Sequence, residues 1–351
     1  MKYTKGQTIY KYVLDSYIGG GNFGEVWLAT DAAIAAKLAV KFLDQSGISI
    51  DERLLEAQIG NRLHHANVVN ITGADVLDIG GNAVVAIAMP YLSQGAITQH
   101  VNSANFVDLK TAVKGIIDVL RGLEYLHENG FFHCDIKPTN ILVGDAGEYL
   151  LSDYGITCFS PMRTYVEPKQ CYLPHMASET LSENKYDVRT DIYQMGLTAF
   201  RLINGISEVK DEFLADRISF KGKIEKGKVI TSARFKPYVP HCIRRIISKA
   251  TALNPDDRYQ TALDMRRAFE QVHIIGDCTS DSSGNIILCR DGNQFRFEVA
   301  STGKNVFYLN AFKKTLKTER ETKYSKYCLK NLNKKELDKS IQAFCLEIIN
   351  G

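Results

Sequence analysis

The sequence predicts an α+β chain of two unequal lobes followed by a small third module. Three observations predict it. Up to residue 90 the apolar residues fall in strand-sized blocks with one helical interruption. From residue 108 onward they recur at helical spacing. A stretch rich in Asp, Ser, Thr and Gly at 276–284 then separates a tail with its own pattern.

In the first lobe, 12–18 is β-rich and runs into glycines, 25–29 resumes the extended pattern, and 38–43 is a third strand. Residues 51–63 read as a helix, with Leu55, Ile59 and Leu63 on one face. Segments 75–78 and 83–88 form a hairpin around Gly80, Gly81 and Asn82. In the second lobe, 109–129 is a long amphipathic helix, followed by helices at 192–204, 243–253 and 261–272. The expected division is a two-lobed domain over 10–275, a linker over 276–284 and a module over 285–351. In the module, 285–289 and 295–299 flank the hairpin signal Asp291-Gly292, and 306–312 is a third strand. Residues 336–349 carry Leu337, Ile341, Phe344, Cys345 and Ile348 at helical spacing.

The chain has 351 residues, 45% hydrophobic and 24% charged, ample for a folded core. A formal net charge of +3 is too small to argue for nucleic acid or a membrane surface. The eight cysteines show no metal-ligand spacing, which suits reduced thiols rather than a disulfide framework. No segment approaches the ~20 apolar residues of a membrane span, and the N-terminus lacks the apolar core of a signal peptide. A cytoplasmic location is expected. The lysine-rich tail, interleaved with Glu and Asp, reads as a solvated face, and nucleic acid is disfavoured.

The chemistry concentrates in His133-Cys134-Asp135-Ile136-Lys137-Pro138-Thr139-Asn140 and, shortly after, Ser152-Asp153-Tyr154-Gly155. A carboxylate can accept a hydroxyl proton, an ammonium can neutralise phosphate charge, and hard oxygen donors can hold magnesium. Upstream, Ile18-Gly19-Gly20-Gly21-Asn22-Phe23-Gly24-Glu25-Val26 is a glycine-rich turn whose backbone can approach phosphates. Ala39-Val40-Lys41 follows on the next strand, and Glu56 lies on the helix after it. These motifs, in this order over roughly 10–275, resemble the protein kinase family.

The resemblance implies a bilobal protein-kinase fold and serine/threonine kinase activity using ATP and Mg2+ on protein substrates. It implies that Asp135 receives the substrate proton and Lys137 stabilises the transferring phosphoryl group. Lys41, oriented by Glu56, would hold the α- and β-phosphates, and Asn140 and Asp153 the metal. Met89, Pro90 and Leu92 match the hinge at the adenine. Val26, Ala39 and Leu142 would sandwich the base under Ile18 and the glycine-rich turn. Glu179, in Ala177-Ser178-Glu179, would pair with Arg258, and Asp191 opens a helix of family type. Lys137-Pro138 disfavours a kinase of small molecules. A pseudokinase or scaffold acting through its tail is the alternative, opposed by retention of Lys41, Glu56, Asp135, Asn140 and Asp153.

Some positions depart from the family. Cys134 stands where an arginine usually meets a phosphorylated activation segment, so independence from that phosphorylation is expected. Tyr154 replaces Phe and needs a partner for its hydroxyl. Tyr172 falls where a threonine usually contacts the catalytic Asp and Lys. Gly60, one turn after Glu56, is expected to leave a gap and a mobile helix, unless Tyr154 or the tail braces it. The tail either binds a protein partner or braces the kinase domain.

Overall fold

The structure is a computed structural model that describes residues 2–21, 24–44, 49–162, 164–168, 170–303 and 305–351. Asn22 and Phe23 of the glycine-rich turn therefore lie outside the described residues. The first lobe is an antiparallel sheet of β1 (Thr8–Ile9), β2 (Tyr12–Gly21), β3 (Gly24–Asp31), β4 (Ala36–Leu43), β5 (Gly73–Ile79) and β6 (Asn82–Pro90). Its order is β1-β2-β3-β4-β6-β5. Strands β4 and β6 are buried on both faces from Ala39 to Leu43 and from Val84 to Ala88, and this explains their apolar runs, interrupted only by Lys41. Edge strand β5 instead alternates, as one face meets water. Tyr12, Trp27 and Phe42 fill one side of the sheet. Helix α1 (Ile50–Arg62) packs on the other and starts at a capping box between Ser49 and Glu52.

Two expectations for α1 need correction. Ile59 and Leu63 are buried, but Leu55 is 48% exposed. Nor is there a gap at Gly60: a Cβ there would lie 2.3 Å from Ile71 Cδ1 and 3.1 Å from Tyr154 Cδ2. Glycine is needed because Ile71 and Tyr154 already occupy the space, so the helix is braced rather than loose. Tyr154 donates its hydroxyl to Val69 O (2.7 Å) and Leu151 O (3.1 Å), and this satisfies it.

The second lobe is built on α2 (Leu109–Glu128). After it come β7 (Phe131–Phe132), β8 (Ile141–Val143), β9 (Tyr149–Leu151) and β10 (Cys158–Phe159). The helices α3 (Ser178–Glu183), α4 (Val188–Asn204), α5 (Glu208–Ala215), α6 (Arg217–Glu225), α7 (His241–Ala250) and α8 (Ala262–Glu270) complete it. Helix α4 is buried from Thr190 to Asn204 and forms the lobe's axis. The lobes are sewn together where Leu151 N donates to Asn67 O and Val69 N to Leu151 O, at 3.0 and 2.9 Å.

The tail folds as β11 (Asp277–Ser280), β12 (Ile286–Arg290), β13 (Asn293–Gly303), β14 (Val306–Thr315), β15 (Arg320–Lys323) and β16 (Leu329–Leu332), with α9 (Lys334–Asn350) across one face. Part of the expected linker is thus a strand, since β11 pairs in register with β12 from Asp277↔Cys289 to Ser280↔Ile286. Leu337, Ile341, Phe344, Ile348 and Ile349 of α9 are buried, each worth about 1.5–3 kcal/mol of burial. Their cluster is continuous with the second lobe's core. Lys110 also bonds to the tail through Asp277 Oδ1 (3.0 Å) and Ile275 O (2.7 Å), and Ala104 N donates to Ser280 Oγ (3.1 Å).

Candidate active site

The sheet register gathers one set of predicted residues on the cleft face. Val26 lies opposite Lys41, Ala39 opposite Met89, and Gly19 opposite Val26. Period-two alternation puts Ala39 and Lys41 on the same side. Gly24 has φ +139, and a Cβ there would meet Phe42 O at 1.9 Å, so β3 can begin this close to β4 only with glycine. Pro90 ends β6. The chain after it returns beneath the cleft, with Gly95 O accepting from Val143 N (2.9 Å) and Ala96 bridging to Leu142.

Lys41 is buried and sits among carboxylates. Its ammonium lies 2.8 and 3.0 Å from the two Glu56 oxygens and 2.8 Å from Asp153 Oδ1. Burial opposes its charge, but Asp153 and Glu56 outweigh that and raise its pKa. Burial pushes the Glu56 carboxyl up against the pull of Lys41. For Asp153 burial acts upward too, yet Lys41 prevails and holds the carboxyl at about 2. Asp153 adopts φ +70, aiming its side chain into the cleft.

Across the cleft, Lys137 Nζ lies 2.6 Å from Asp135 Oδ2. Asn140 Nδ2 donates to the same oxygen (3.0 Å) and to Asp135 O (2.9 Å). Asp135 Oδ1 is buried and, among the described residues, has no hydrogen-bond partner. Burial raises the Asp135 pKa and Lys137 opposes the rise. An aspartate raised by burial and set beside a fixed ammonium suits capture of a hydroxyl proton.

The backbone of this loop is held from below. The buried Asp191 carboxylate accepts from His133 N and Cys134 N, both at 2.9 Å, and from the Tyr186 hydroxyl at 2.6 Å. Burial acts to raise its pKa, but His127 above all, with His133 and the Tyr186 hydroxyl, brings it below the usual range. Gln194 takes the next pair, accepting from Ile136 N (2.8 Å) and donating to Cys134 O (3.0 Å). Cys134 itself has φ +67, a costly conformation for a residue with a Cβ. Asp191 and Gln194 are functional residues whose roles the sequence reading missed. A polar pair, i and i+3, near the start of a helix that also buries Thr190, Thr198, Arg201 and Asn204 was the available signal.

Two further expectations met geometry. Arg258 is buried and makes a bidentate pair with Glu179 at 2.7 and 2.9 Å. Tyr172 does lie against the catalytic lysine, but by its ring: Lys137 Nζ sits 4.6 Å from the ring centroid.

Comparison with known proteins agrees with this geometry. The protein kinase domain family matches residues 12–270. The serine/threonine-protein kinase PrkC of Bacillus subtilis (strain 168) is 27% identical over 262 residues, covering 73% of this chain and 39% of that protein. PknD of Chlamydia trachomatis serovar L2b is 27% identical over 315 residues, covering 76% of this chain and 32% of that protein. PknB of Mycobacterium leprae is 24% identical over 272 residues, covering 75% and 43%. The chain thus spans less than half the length of these relatives. No described helix is long and apolar enough to cross a membrane. With its motifs in order and its cleft assembled, the chain belongs to the protein kinase domain family.

Proposed function

We propose that the chain transfers the γ-phosphoryl group of ATP to serine or threonine hydroxyls of protein substrates. The observation that carries this reading is the placement of the Asp135 carboxylate, 2.6 Å from Lys137 and 3.0 Å from Asn140, across the cleft from the cluster of Lys41, Glu56 and Asp153. A substrate hydroxyl reaching that carboxylate would give up its proton there, while Lys137 faces the charge developing on the phosphoryl group. Lys41, braced by Glu56, would hold the α- and β-phosphates. Val26, Ala39, Met89 and Leu142 would enclose the adenine, and Leu92 and Pro90 would supply its donor and acceptor.

Magnesium suits the donor set. Asn140 and Asp153 offer hard oxygens, and no group of three or more His, Cys, Asp or Glu converges among the described residues. That fits an ion held by few protein groups and by the nucleotide phosphates. When bound, the metal supplies charge neutralisation on those phosphates.

Activity without phosphate on the segment from Asp153 to Glu179 forms part of the proposal. The loop bearing Asp135 is pinned by Asp191 and Gln194, and Cys134 offers no guanidinium to a phosphate. The module of 277–351 is proposed to brace the second lobe, through the shared core and the Lys110 contacts. A location in the cytoplasm is proposed with it.

Incubation with γ-labelled ATP, magnesium and a generic protein substrate tests the reading, beside Asp135→Ala and Lys41→Ala. Label on serine and threonine, lost in both variants, is expected. Thermal stabilisation by nucleotide with no transfer by the unmodified chain would replace this reading with a nucleotide-binding scaffold.

A further inference from the structure

Behind the ionic cleft, the same two segments carry a pair of thiols. Strand β10 pairs with β7 so that Cys158 faces Phe132, and Cys134 lies two residues beyond Phe132 on that chain. Cys134 Sγ is 3.4 Å from Phe132 O. The two thiols are within hydrogen-bond reach of each other. Around them are Phe132, Tyr186, Ile156, Val166 and Val188, an apolar cluster. Cys134 is buried, whereas Cys158 also lines a cavity of about 460 Å³ between α1 and the 155–170 stretch, along with Leu43, Leu55 and Phe159. One thiol of the pair is therefore accessible to a small solute and the other only through its neighbour.

We propose that Cys134 and Cys158 are a modification site for a peroxide, which converts them to a disulfide joining the catalytic loop to the segment after Asp153. Cys158 Sγ attacks one peroxide oxygen, the O–O bond breaks, and the departing oxygen leaves as water with the thiol proton. The product is a sulfenic acid at Cys158. Cys134 Sγ then attacks Cys158 Sγ; the S–S bond forms, the S–O bond breaks, and the hydroxyl leaves as a second water with the Cys134 proton. Two thiols are oxidised and one peroxide is reduced to two waters. Cys158 reacts first because it lines the cavity while Cys134 is buried, and burial also pushes the Cys134 thiol well up. The backbone of Cys134 is fixed by Asp191 and Gln194, so β10 makes the adjustment. The chemistry needs no phosphoryl transfer and stands whether or not the kinase reading does.

The full chain is treated with hydrogen peroxide, its remaining thiols are alkylated, and digests are mapped by mass spectrometry. The expected product is one peptide pair joined through Cys134 and Cys158. It should be lost in Cys158→Ser, reversed by dithiothreitol, and accompanied by slower amide exchange over 156–160. Cys171, also within electrostatic range of Cys158, is the competing partner. A Cys158–Cys171 link, a Cys158 sulfinic acid with Cys134 free, or both thiols alkylated as in untreated protein would each overturn the proposal. The mapping is done on the unmodified chain, so it decides even if the variant fails to fold.

Discussion

The cleft face and the rear face of the catalytic loop are a few ångströms apart and are built on opposite principles. In front, five charged side chains hold one another: Lys41 with Glu56 and Asp153, and Lys137 with Asp135. Behind, Cys134, Phe132 and Tyr186 form a dry apolar cluster. The strained Cys134 backbone is held neither by its own side chain nor by the cleft charges, but by Asp191 and Gln194 on α4. An arginine at this position is therefore not needed to shape the loop. The proposed chemistry lies on the front face, the loop is positioned from α4, and the rear face carries the proposed thiol pair.

Variants that remove front-face charges should have the largest effect. Asp135→Ala is expected to lower phosphoryl transfer by about 10²–10⁴-fold while keeping nucleotide-dependent thermal stabilisation. Equal loss of both would mean the fold, not the base, had been removed. Next comes the support: Asp191→Ala leaves His133 N, Cys134 N and the Tyr186 hydroxyl without their acceptor, for about 3–5 kcal/mol in urea unfolding. Glu179→Ala should cost a similar amount by stranding the buried Arg258. If either change were neutral, the second lobe would not depend on these buried charges.

A pH profile separates the faces more finely. Burial holds the Asp135 pKa above that of an ordinary aspartate, and a proton acceptor must be ionised. Transfer should therefore fall as pH drops through that raised value, and rise above it. Lys137 opposes the rise, so Lys137→Met should move the acid limb to higher pH besides slowing the reaction. An unmoved limb would assign the limiting ionisation to another group. The smallest effect is expected at Tyr172→Phe, which keeps the ring against Lys137: transfer should change less than about threefold, whereas Tyr172→Ala should reduce it further.

The parts of the fold legible in the sequence are those with long periods or fixed motifs. Strands β2 to β6, helices α1, α2 and α4, and the Asp291-Gly292 turn were readable because burial imposes alternation or helical spacing on them. The two-residue strands β7 and β10 are too short to show a period, yet they bring Cys134 and Cys158 together. Strand β11, Asp-Cys-Thr-Ser, has a linker's composition because its ladder, the buried Cys278 and the polar contacts of Asp277 and Ser280 to the second lobe hold it in place without an apolar pattern. Strand β15 is exposed throughout and alternates in nothing. In the site, Lys41, Glu56, Asp135, Lys137, Asn140 and Asp153 were identifiable by spacing. Asp191 and Gln194 were not, since their partners are backbone amides about 60 residues away, which leave no mark in a linear pattern. At Gly60 the missing side chain suggested a void, because the residue filling it, Ile71, lies beyond the helix.

The most direct measurement is the initial rate of phosphoryl transfer by the full chain after phosphatase treatment, with the dephosphorylated state of 153–179 verified by mass spectrometry. A second preparation carries Thr164→Ala and Tyr165→Phe, so that these exposed positions cannot be relabelled during the assay, and the unsubstituted chain is kept for rephosphorylation. A rate within about twofold of the untreated chain is expected, since Asp191 and Gln194 already hold Asp135 in place. A rate that collapses on dephosphorylation and returns when the segment is phosphorylated again would contradict that account.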